Sequence, residues 1–294
     1  LIDRETFLVA SPRGDDLVAL ENVNSSDFPP RRFRIGEELP SERRGRWLEF
    51  IGEVSLPPGD WANYVKAGVL RMQDIFANEE LRGFEAVVCG DVPIGSGMSS
   101  SSTIVVASAL ATLRANGLEM PPGELSEACG EGEWLVGTRG GYGDHAAMLL
   151  SERGTILHAR FLPFGWERIP FPSDCRVLVV NTGVKARKTA GAKSTFNERV
   201  ATYRIAFHLL RRLFPEIRQK VEHLRDVNPE NLGVEPADIY RMVKALPERM
   251  SRAEVLEALR GDEEAVRDLE FYFPQHREPE GGYRVRGVLM FGIA

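Results

Sequence analysis

The residues best suited to chemistry lie in one short segment, residues 95–102, which reads Gly-Ser-Gly-Met-Ser-Ser-Ser-Ser. Its glycines allow tight backbone turns, so several amide N–H groups can point toward one anion. A helix is predicted to begin at Ser100, and a helix N-terminus adds partial positive charge in the same direction. The four consecutive hydroxyls can donate to phosphate oxygens or ligate a hard cation such as Mg²⁺. A triphosphate is the ligand that best uses all three features.

Two other phosphate-binding patterns fit this segment less well. A Walker loop requires Gly-Lys followed by Ser or Thr, and no such sequence follows. A dinucleotide-binding fingerprint begins at Gly95 and Gly97, but its third glycine position holds Ser100. No clear ribose-binding acid stands at a strand end about twenty residues later. A nicotinamide oxidoreductase is therefore the weaker alternative.

A predicted strand before the segment and a predicted helix after it must position these groups. Residues 84–89 form a short apolar run typical of a strand, and residues 100–116 predict a helix. Residues 6–10 and 16–20 have the β-branched and apolar character of two further strands. Residues 61–76 predict another helix, with apolar residues at helical spacing.

The downstream pattern indicates the fold class. Further helices are predicted over residues 124–136, 196–214, 236–246 and 251–259, and further strands over residues 155–161 and 176–181. Strands followed by helices, without strict alternation, favour an α+β fold. The proline-rich stretch 161–172 is interpreted as a boundary between two domains, and the stretch 24–46 as an exposed excursion.

Composition excludes several classes of protein. The 294 residues are 43% hydrophobic and carry a net charge of −6, which argues against general disorder, nucleic-acid binding and binding to anionic membranes. Three widely spaced cysteines fit neither a disulfide framework nor a zinc site and favour a cytoplasmic environment. The chain begins at Leu1 rather than Met and stops in an apolar run, so we expect that residues are missing at both ends.

Residues 93–101, Pro-Ile-Gly-Ser-Gly-Met-Ser-Ser-Ser, resemble the phosphate loop of the GHMP kinases. The galactokinase branch, whose loop reads Pro-Leu-Gly-x-Gly-Leu-Ser-Ser-Ser, matches most closely. Three further segments resemble galactokinase motifs in order and spacing: residues 2–6, residues 61–66 (Trp-Ala-Asn-Tyr-Val-Lys) and residues 181–185 with 196–199.

The resemblance implies a two-domain α+β fold. The N-terminal domain, residues 1–165, would be similar to ribosomal protein S5 domain 2 and would contain the phosphate loop. The C-terminal domain, residues 166–294, would be partial and ferredoxin-like.

The resemblance also implies an acidic catalytic residue. Residues 140–145, Gly-Gly-Tyr-Gly-Asp-His, stand where galactokinases have Cys-Gly-Ile-Met-Asp-Gln. Asp144 matches the aspartate that faces the phosphorylated hydroxyl, so we expect it to act as a base or orienting group. His145 is the one histidine beside this candidate site.

The resemblance further implies ATP and Mg²⁺ as cofactors. The phosphate-binding residues would be Gly95, Ser96, Gly97, Met98, Ser99, Ser100, Ser101 and Ser102. Ser101 matches the serine that ligates Mg²⁺ in the family. Glu133 is the better match for the metal-binding glutamate, and Glu131 stays open because the spacing is one residue shorter than in galactokinases.

Substrate contacts are implied at three positions. Asp144 would face the substrate, and Phe196 corresponds to a sugar-contacting tyrosine of the family. Tyr142 is a candidate for an aromatic wall beside a sugar or nucleobase, with burial as the alternative. Because Phe196 lacks the tyrosine hydroxyl, a monosaccharide other than galactose, or a polyol, is also compatible. A basic group at residues 185–188 would either neutralise the transferring phosphate or form a solvated turn.

Together these features predict an ATP- and Mg²⁺-dependent kinase that phosphorylates a hydroxyl of a small molecule, most simply a monosaccharide. We expect a cytoplasmic monomer or homodimer without a nucleic-acid or membrane partner. The first and third family motifs are absent from the chain. The alternative is therefore a catalytically silent sensor of sugar and ATP that regulates a partner protein.

Overall fold

A computed structural model of the protein describes residues 4–161, 163–180 and 190–290. The chain divides into two compact units, Leu1–Arg187 and Lys188–Ala294. The division therefore lies 22 residues later than the boundary after residue 165 that the sequence predicted. The pairing of two strands explains this difference. Strand β5 (Thr155–Arg160) pairs antiparallel with strand β6 (Gly165–Pro170), so the proline-rich stretch contains a hairpin turn and a strand of the first unit.

A mixed sheet organises the first unit. Its strands are β1 (Thr6–Pro12), β2 (Leu17–Asn22), β3 (Arg31–Arg34) and β4 (Phe84–Gly90). The order is β1-β4-β2-β3, with β2 and β4 parallel and the other two pairs antiparallel. In β4 the side chains of Phe84, Ala86 and Val88 are buried and alternate with exposed ones, because successive residues of a strand face opposite sides of a sheet.

Helices accompany this sheet in the first unit. They are α1 (Ile35–Glu38), α2 (Trp47–Glu53), α3 (Ala62–Ile75), α4 (Ser100–Asn116), α5 (Pro122–Glu133) and α6 (Gly143–Leu150). The predicted helix over 124–136 is divided: α5 ends at Glu133, and a 3₁₀ turn follows over Trp134–Val136. Helix α4 begins where the glycine- and serine-rich loop ends, so the strand-loop-helix arrangement expected around that loop is confirmed.

The stretch 24–46 is not the exposed excursion that its composition predicted. It contributes β3 and α1, and the side chains of Phe33, Ile35 and Leu39 are buried. Burial of these three apolar side chains stabilises the folded chain, so the segment packs against the protein even though most of its residues are polar.

The described part of the second unit is helical. Its helices are α7 (Ala190–Leu213), α8 (Pro229–Leu232), α9 (Pro236–Ala245), α10 (Arg252–Ala258), α11 (Glu263–Tyr272) and α12 (Val285–Met290). One face of α7, including Ile205 and Leu210, packs in a core with residues of the later helices. Among the described residues of this unit the β pairing is the single bridge between Met250 and Tyr283, so the strands of a ferredoxin-like domain are not found there.

The two units together have mixed helices and sheets, which confirms the α+β class. The strand predicted over 176–181 is not formed by residues 176–180, whose valines and leucine are exposed. A strand needs a neighbour for its backbone hydrogen bonds, and no described strand pairs with these residues. No helix among the described residues has the length and apolar character needed to span a bilayer.

Helices α3 and α4 approach closely at Gly68, and this contact generates a prediction. A Cβ at Gly68 would lie 2.2 Å from Oγ of Ser108 and 2.5 Å from the carbonyl oxygen of Val105. We expect Gly68→Ala to lower the free energy of unfolding by about 2 kcal/mol, because overpacking outweighs the gain in helix propensity. Chemical denaturation measures the change.

Gly52→Ala is the matched control for this substitution. Gly52 also lies in a helix, α2, but apart from its chain neighbours and the backbone of that helix no atom of the described residues lies within 4 Å of its Cβ position. This variant should keep or increase stability, by up to about 1 kcal/mol. Equal effects of the two substitutions would contradict a close helix contact at Gly68.

Candidate active site

The loop over residues 91–99 joins strand β4 to helix α4 and has an unusual backbone. Gly95, Gly97 and Ser99 all have positive φ, at 70°, 78° and 57°. Glycine adopts this region without steric cost, whereas a serine side chain is strained there. Ser99 is the one non-glycine residue with positive φ among the described residues. Backbone strain of this kind is found preferentially at functional sites.

Residues 4–6, at and just before the start of strand β1, contact both ends of the loop. Asp91 accepts hydrogen bonds from the backbone N–H of Glu5 and from Nη1 of Arg4, each at 2.8 Å. The hydrogen bond from Arg4 lowers the pKa of the Asp91 carboxyl, so it stays ionised near neutral pH. Just after the loop, the hydroxyls of Thr103 and Thr6 lie 2.8 Å apart. The loop is therefore fixed at its beginning and at its end.

Asp144, the predicted catalytic residue, lies against this loop. It is in the first turn of α6 and is exposed, and its Oδ2 accepts a hydrogen bond from Oγ of Ser99 at 2.5 Å. The two residues are 45 positions apart in the sequence. A molecule bound at the loop would therefore have a carboxylate beside it.

Glu133 contacts the first turn of α4. Its side chain is mostly buried, and its Oε1 and Oε2 accept hydrogen bonds from Oγ of Ser101 at 2.9 Å and Oγ of Ser102 at 2.7 Å. Glu131, the other glutamate left open by the sequence, instead pairs with Arg71. Of the two carboxylates, Glu133 is the one that reaches the serines of the loop.

His145 lies beside the Glu133 oxygen that accepts the hydrogen bond from Ser102. The histidine is 2% exposed, and its Nε2 is 3.1 Å from Oε2 of Glu133. This contact is not aligned as a hydrogen bond, and neither ring nitrogen has a hydrogen-bond partner within the part of the chain that the structure describes. The sequence placed His145 beside the site but could not show this contact.

The donor atoms at Ser101 and Glu133 fit a small hard cation. A hydroxyl and a carboxylate oxygen are the kind of ligand that Mg²⁺ prefers, and Mg²⁺ at phosphate sites is held by few protein groups, with phosphates and waters completing the shell. Among the described residues no group of three or more His, Cys, Asp or Glu side chains could hold a metal by itself. A cation here would need ligands from a bound phosphate or from water.

Ser102 has a different environment from the one the sequence predicted. Its hydroxyl, expected to line the phosphates, is buried and donates to Glu133. Ser96 also uses its hydroxyl within the protein, donating to the carbonyl oxygen of Pro93 at 2.7 Å. Serine hydroxyls of this segment therefore have different hydrogen-bond partners. The sequence cannot show this difference, because the side chains are identical.

The predicted substrate residues lie in both units. The hydroxyl of Tyr142 donates to Oε1 of Glu127 at 2.8 Å, and its ring packs edge-on against Phe161 and Phe164. These contacts favour a structural role for Tyr142. Phe196 is an exposed residue of α7 in the second unit. The segment 181–185 and the basic group Lys185, Arg187 and Lys188 lie outside the described residues.

The fold and the loop define a class of protein. Residues 63–152 match the family model described as the GHMP kinases N terminal domain, and this range contains the loop, Glu133 and Asp144. The predicted resemblance to the GHMP kinase superfamily is confirmed.

The chain is also similar to curated galactokinases. It is 29% identical to galactokinase of Chloroflexus aurantiacus over 236 residues, which are 79% of this chain and 53% of that protein. It is 30% identical to galactokinase of Chloroflexus aggregans, with the same coverage. The chain thus spans about half the length of these curated relatives.

One solved structure supports the fold. Lactococcus lactis galactokinase complexed with galactose aligns with 90% of this chain and 63% of its own, with a TM-score of 0.57 and 21% identity. The GHMP-kinase-like α+β fold predicted from the sequence is confirmed.

The buried thiol near Glu133 generates one prediction. Burial and the negative charge of Glu133 raise the pKa of Cys129 to about 12, so the reactive thiolate is scarce at neutral pH. Cys89 and Cys175 are exposed. We expect an aromatic disulfide reagent at pH 8 to modify these two thiols rapidly and Cys129 only after denaturation. Rapid reaction of all three in the native protein would contradict this burial.

The strained serine generates another prediction. Ser99→Gly and Ser99→Ala both remove the hydrogen bond to Asp144, but only alanine retains a side chain at a φ of 57°. Ser99→Ala should therefore unfold with a free energy lower than that of Ser99→Gly by about 1 kcal/mol. Denaturant unfolding of both variants measures the difference. Equal stabilities would mean that the left-handed conformation is not maintained.

Proposed function

We propose that this chain carries the nucleotide-binding and acceptor-binding groups of an ATP- and Mg²⁺-dependent sugar kinase. The reaction would transfer the γ-phosphoryl group of ATP to a hydroxyl of a monosaccharide. The observation that carries the proposal is the hydrogen bond from Ser99 to Asp144, because it joins a glycine-rich anion loop to an exposed carboxylate. The similarity to galactokinases supports a sugar as the acceptor.

The loop would bind the triphosphate through its backbone and through the first turn of α4. Positive φ at Gly95, Gly97 and Ser99 turns the backbone sharply, and such turns can direct N–H groups toward one anion. The partial positive charge at the beginning of the 17-residue helix α4 adds to this attraction. Ser99 and Ser100 would supply hydroxyl donors to phosphate oxygens.

Ser101 and Glu133 would hold Mg²⁺. The bound ion would neutralise charge on the phosphates, which assists a transfer that depends mainly on positioning and electrostatics. Glu133 suits this role because its carboxylate is held by two serine hydroxyls and cannot turn away.

Asp144 would act on the acceptor. As the acceptor oxygen attacks the γ-phosphorus, the carboxylate accepts the proton of the hydroxyl, a new P–O bond forms, and the bond to the β-phosphate oxygen breaks. ADP leaves with the electron pair of that bond. No covalent enzyme intermediate is needed. Before the acceptor binds, Ser99 holds Oδ2 of Asp144 next to the loop.

Tyr142 and Phe196 are part of this proposal as candidate substrate-binding residues. Phe196 would present a ring without a hydroxyl. We therefore expect the preference for galactose to be weaker than in a protein with tyrosine there, because a missing hydrogen-bond partner changes sugar discrimination strongly. Cytoplasmic localisation and a monomeric or homodimeric state also belong to the proposal.

Asp144→Asn tests the assignment of the carboxylate. We expect turnover to fall by about 10²- to 10⁴-fold, since the proton acceptor is lost, while ATP affinity stays nearly unchanged. ADP release with a panel of monosaccharides and calorimetric titration with ATP measure the two effects. Asp174→Asn, at an exposed turn of the same unit, is the matched control and should retain both properties. Equal loss of turnover and ATP binding would remove Asp144 from the catalytic role.

The same assays separate the kinase from its alternatives. A sensor would bind ATP and a monosaccharide without releasing ADP. An oxidoreductase would be protected against thermal unfolding by NAD and not by ATP, because a ligand stabilises the folded state that binds it.

A further inference from the structure

Ser99 is the residue immediately before helix α4, a position at which a serine usually accepts a hydrogen bond from a backbone N–H of the first helical turn. The side chain of Ser99 makes no such bond. A capping residue usually has an extended backbone, whereas Ser99 has a φ of 57° and a ψ of 36°, in the left-handed region. Its hydroxyl instead donates to Oδ2 of Asp144 at 2.5 Å. The loop therefore directs this side chain to the carboxylate rather than to the helix.

The single hydrogen of this hydroxyl limits what Ser99 can do. A serine hydroxyl donates one hydrogen bond, whereas an ionised carboxylate and a phosphate oxygen only accept. The proposed function requires Ser99 to donate to a phosphate of the nucleotide, but its hydrogen already lies between Ser99 and Asp144. Because Ser99 cannot donate to both groups at once, Oδ2 of Asp144 needs another donor whenever a phosphate takes this hydrogen bond.

A hydroxyl of the acceptor molecule can be that donor. Asp144 is exposed in the first turn of α6, so a bound molecule can reach its carboxylate. Without nucleotide, the acceptor hydroxyl must displace Ser99 from Oδ2, and a hydrogen bond to a charged group is among the stronger ones to break. With nucleotide bound, Ser99 donates to the phosphate, and the acceptor meets an available carboxylate. Each of the two ligands therefore favours binding of the other.

We propose that the hydroxyl of Ser99 exchanges Asp144 for a phosphate of the nucleotide, and that this exchange couples nucleotide binding to acceptor binding. The inference rests on the proposed function, because it needs both ligands at this site. The hydrogen stays covalently bonded to Oγ of Ser99, and only its hydrogen-bond partner changes. Ser99 is thus a positioning residue that occupies Oδ2 of Asp144 until nucleotide binds. Since coupling between two binding sites is reciprocal, the acceptor raises nucleotide affinity by the same factor.

Calorimetric titration of the full 294-residue chain with monosaccharides measures the coupling. Galactose, glucose and mannose are titrated with and without Mg²⁺ and the imido analogue of ATP, which resists transfer of its γ-phosphoryl group. We expect at least one of these sugars to bind about fivefold or more tightly when the analogue is present. The reverse titration should show the same gain in analogue affinity at saturating sugar. This comparison uses the unaltered sequence, so it does not depend on the folding of a variant.

Ser99→Gly locates the coupling. Glycine lacks the hydroxyl and adopts a φ of 57° without strain, so the variant should keep the conformation of the loop. We expect the sugar to bind this variant more tightly than the unaltered chain when nucleotide is absent, because the sugar no longer displaces Ser99. The gain from the analogue should fall to less than about twofold, whereas loss of a merely structural contact would not raise sugar affinity.

Ser55→Gly is the matched control for this substitution. Ser55 is an exposed serine of the same unit and lies outside its helices and strands. This variant should retain the full coupling between sugar and analogue.

The outcomes separate this inference from the proposed function. A sugar affinity that is the same with and without the analogue would overturn the coupling and leave the kinase proposal intact. A folded Ser99→Gly variant with undiminished coupling, or with weaker sugar binding in the absence of nucleotide, would overturn the role of Ser99. If none of the sugars binds in either state, the proposed acceptor site and the inference fail together.

Discussion

The mostly buried carboxylate of Glu133 is the constraint on which the candidate site depends. A buried charge is costly unless hydrogen bonds compensate it, and Ser101 and Ser102 donate to its two oxygens. These bonds connect the end of α5 to the beginning of α4, so they fix the direction in which the loop before α4 leaves the helix. Burial, and with it the charge of the same carboxylate, raises the pKa of Cys129, and the carboxylate also contacts His145. The side chains of Ser101, Ser102, Cys129 and His145 therefore all interact with the Glu133 carboxylate.

The loop itself combines rigid anchors with strained backbone. The backbone N–H of Glu5, just before strand β1, holds its beginning through Asp91, while positive φ values turn the loop sharply before α4. The strain at Ser99 is compensated by its hydrogen bond to Asp144, which brings the loop and the first turn of α6 together. Preorganisation of this kind suits phosphoryl transfer, because positioning and electrostatics supply most of the catalysis.

Much of this arrangement could be predicted, and the errors have physical causes. The strand, loop and helix around residues 84–116 follow from local patterns and were placed correctly. Residues 24–46 were expected to be exposed because most of them are polar, but three apolar residues among them are buried. Prolines suggested a domain boundary near residue 165, but proline also fits a hairpin turn. The predicted strand over 176–181 is not formed by residues 176–180. A strand needs a partner strand for its backbone hydrogen bonds, and the spacing of apolar residues does not reveal whether a partner is available.

By itself, the sequence determined the glycine- and serine-rich loop, the helix that follows it and the resemblance that singled out Asp144, since these depend on neighbouring residues or on short motifs. Only the tertiary structure showed that Glu133, and not Glu131, accepts hydrogen bonds from Ser101 and Ser102, and that His145 lies against the same carboxylate. Contacts such as that between Ser101 and Glu133 join residues 32 positions apart. Such pairs are selected by packing and by the need to satisfy buried charge, which no local pattern encodes.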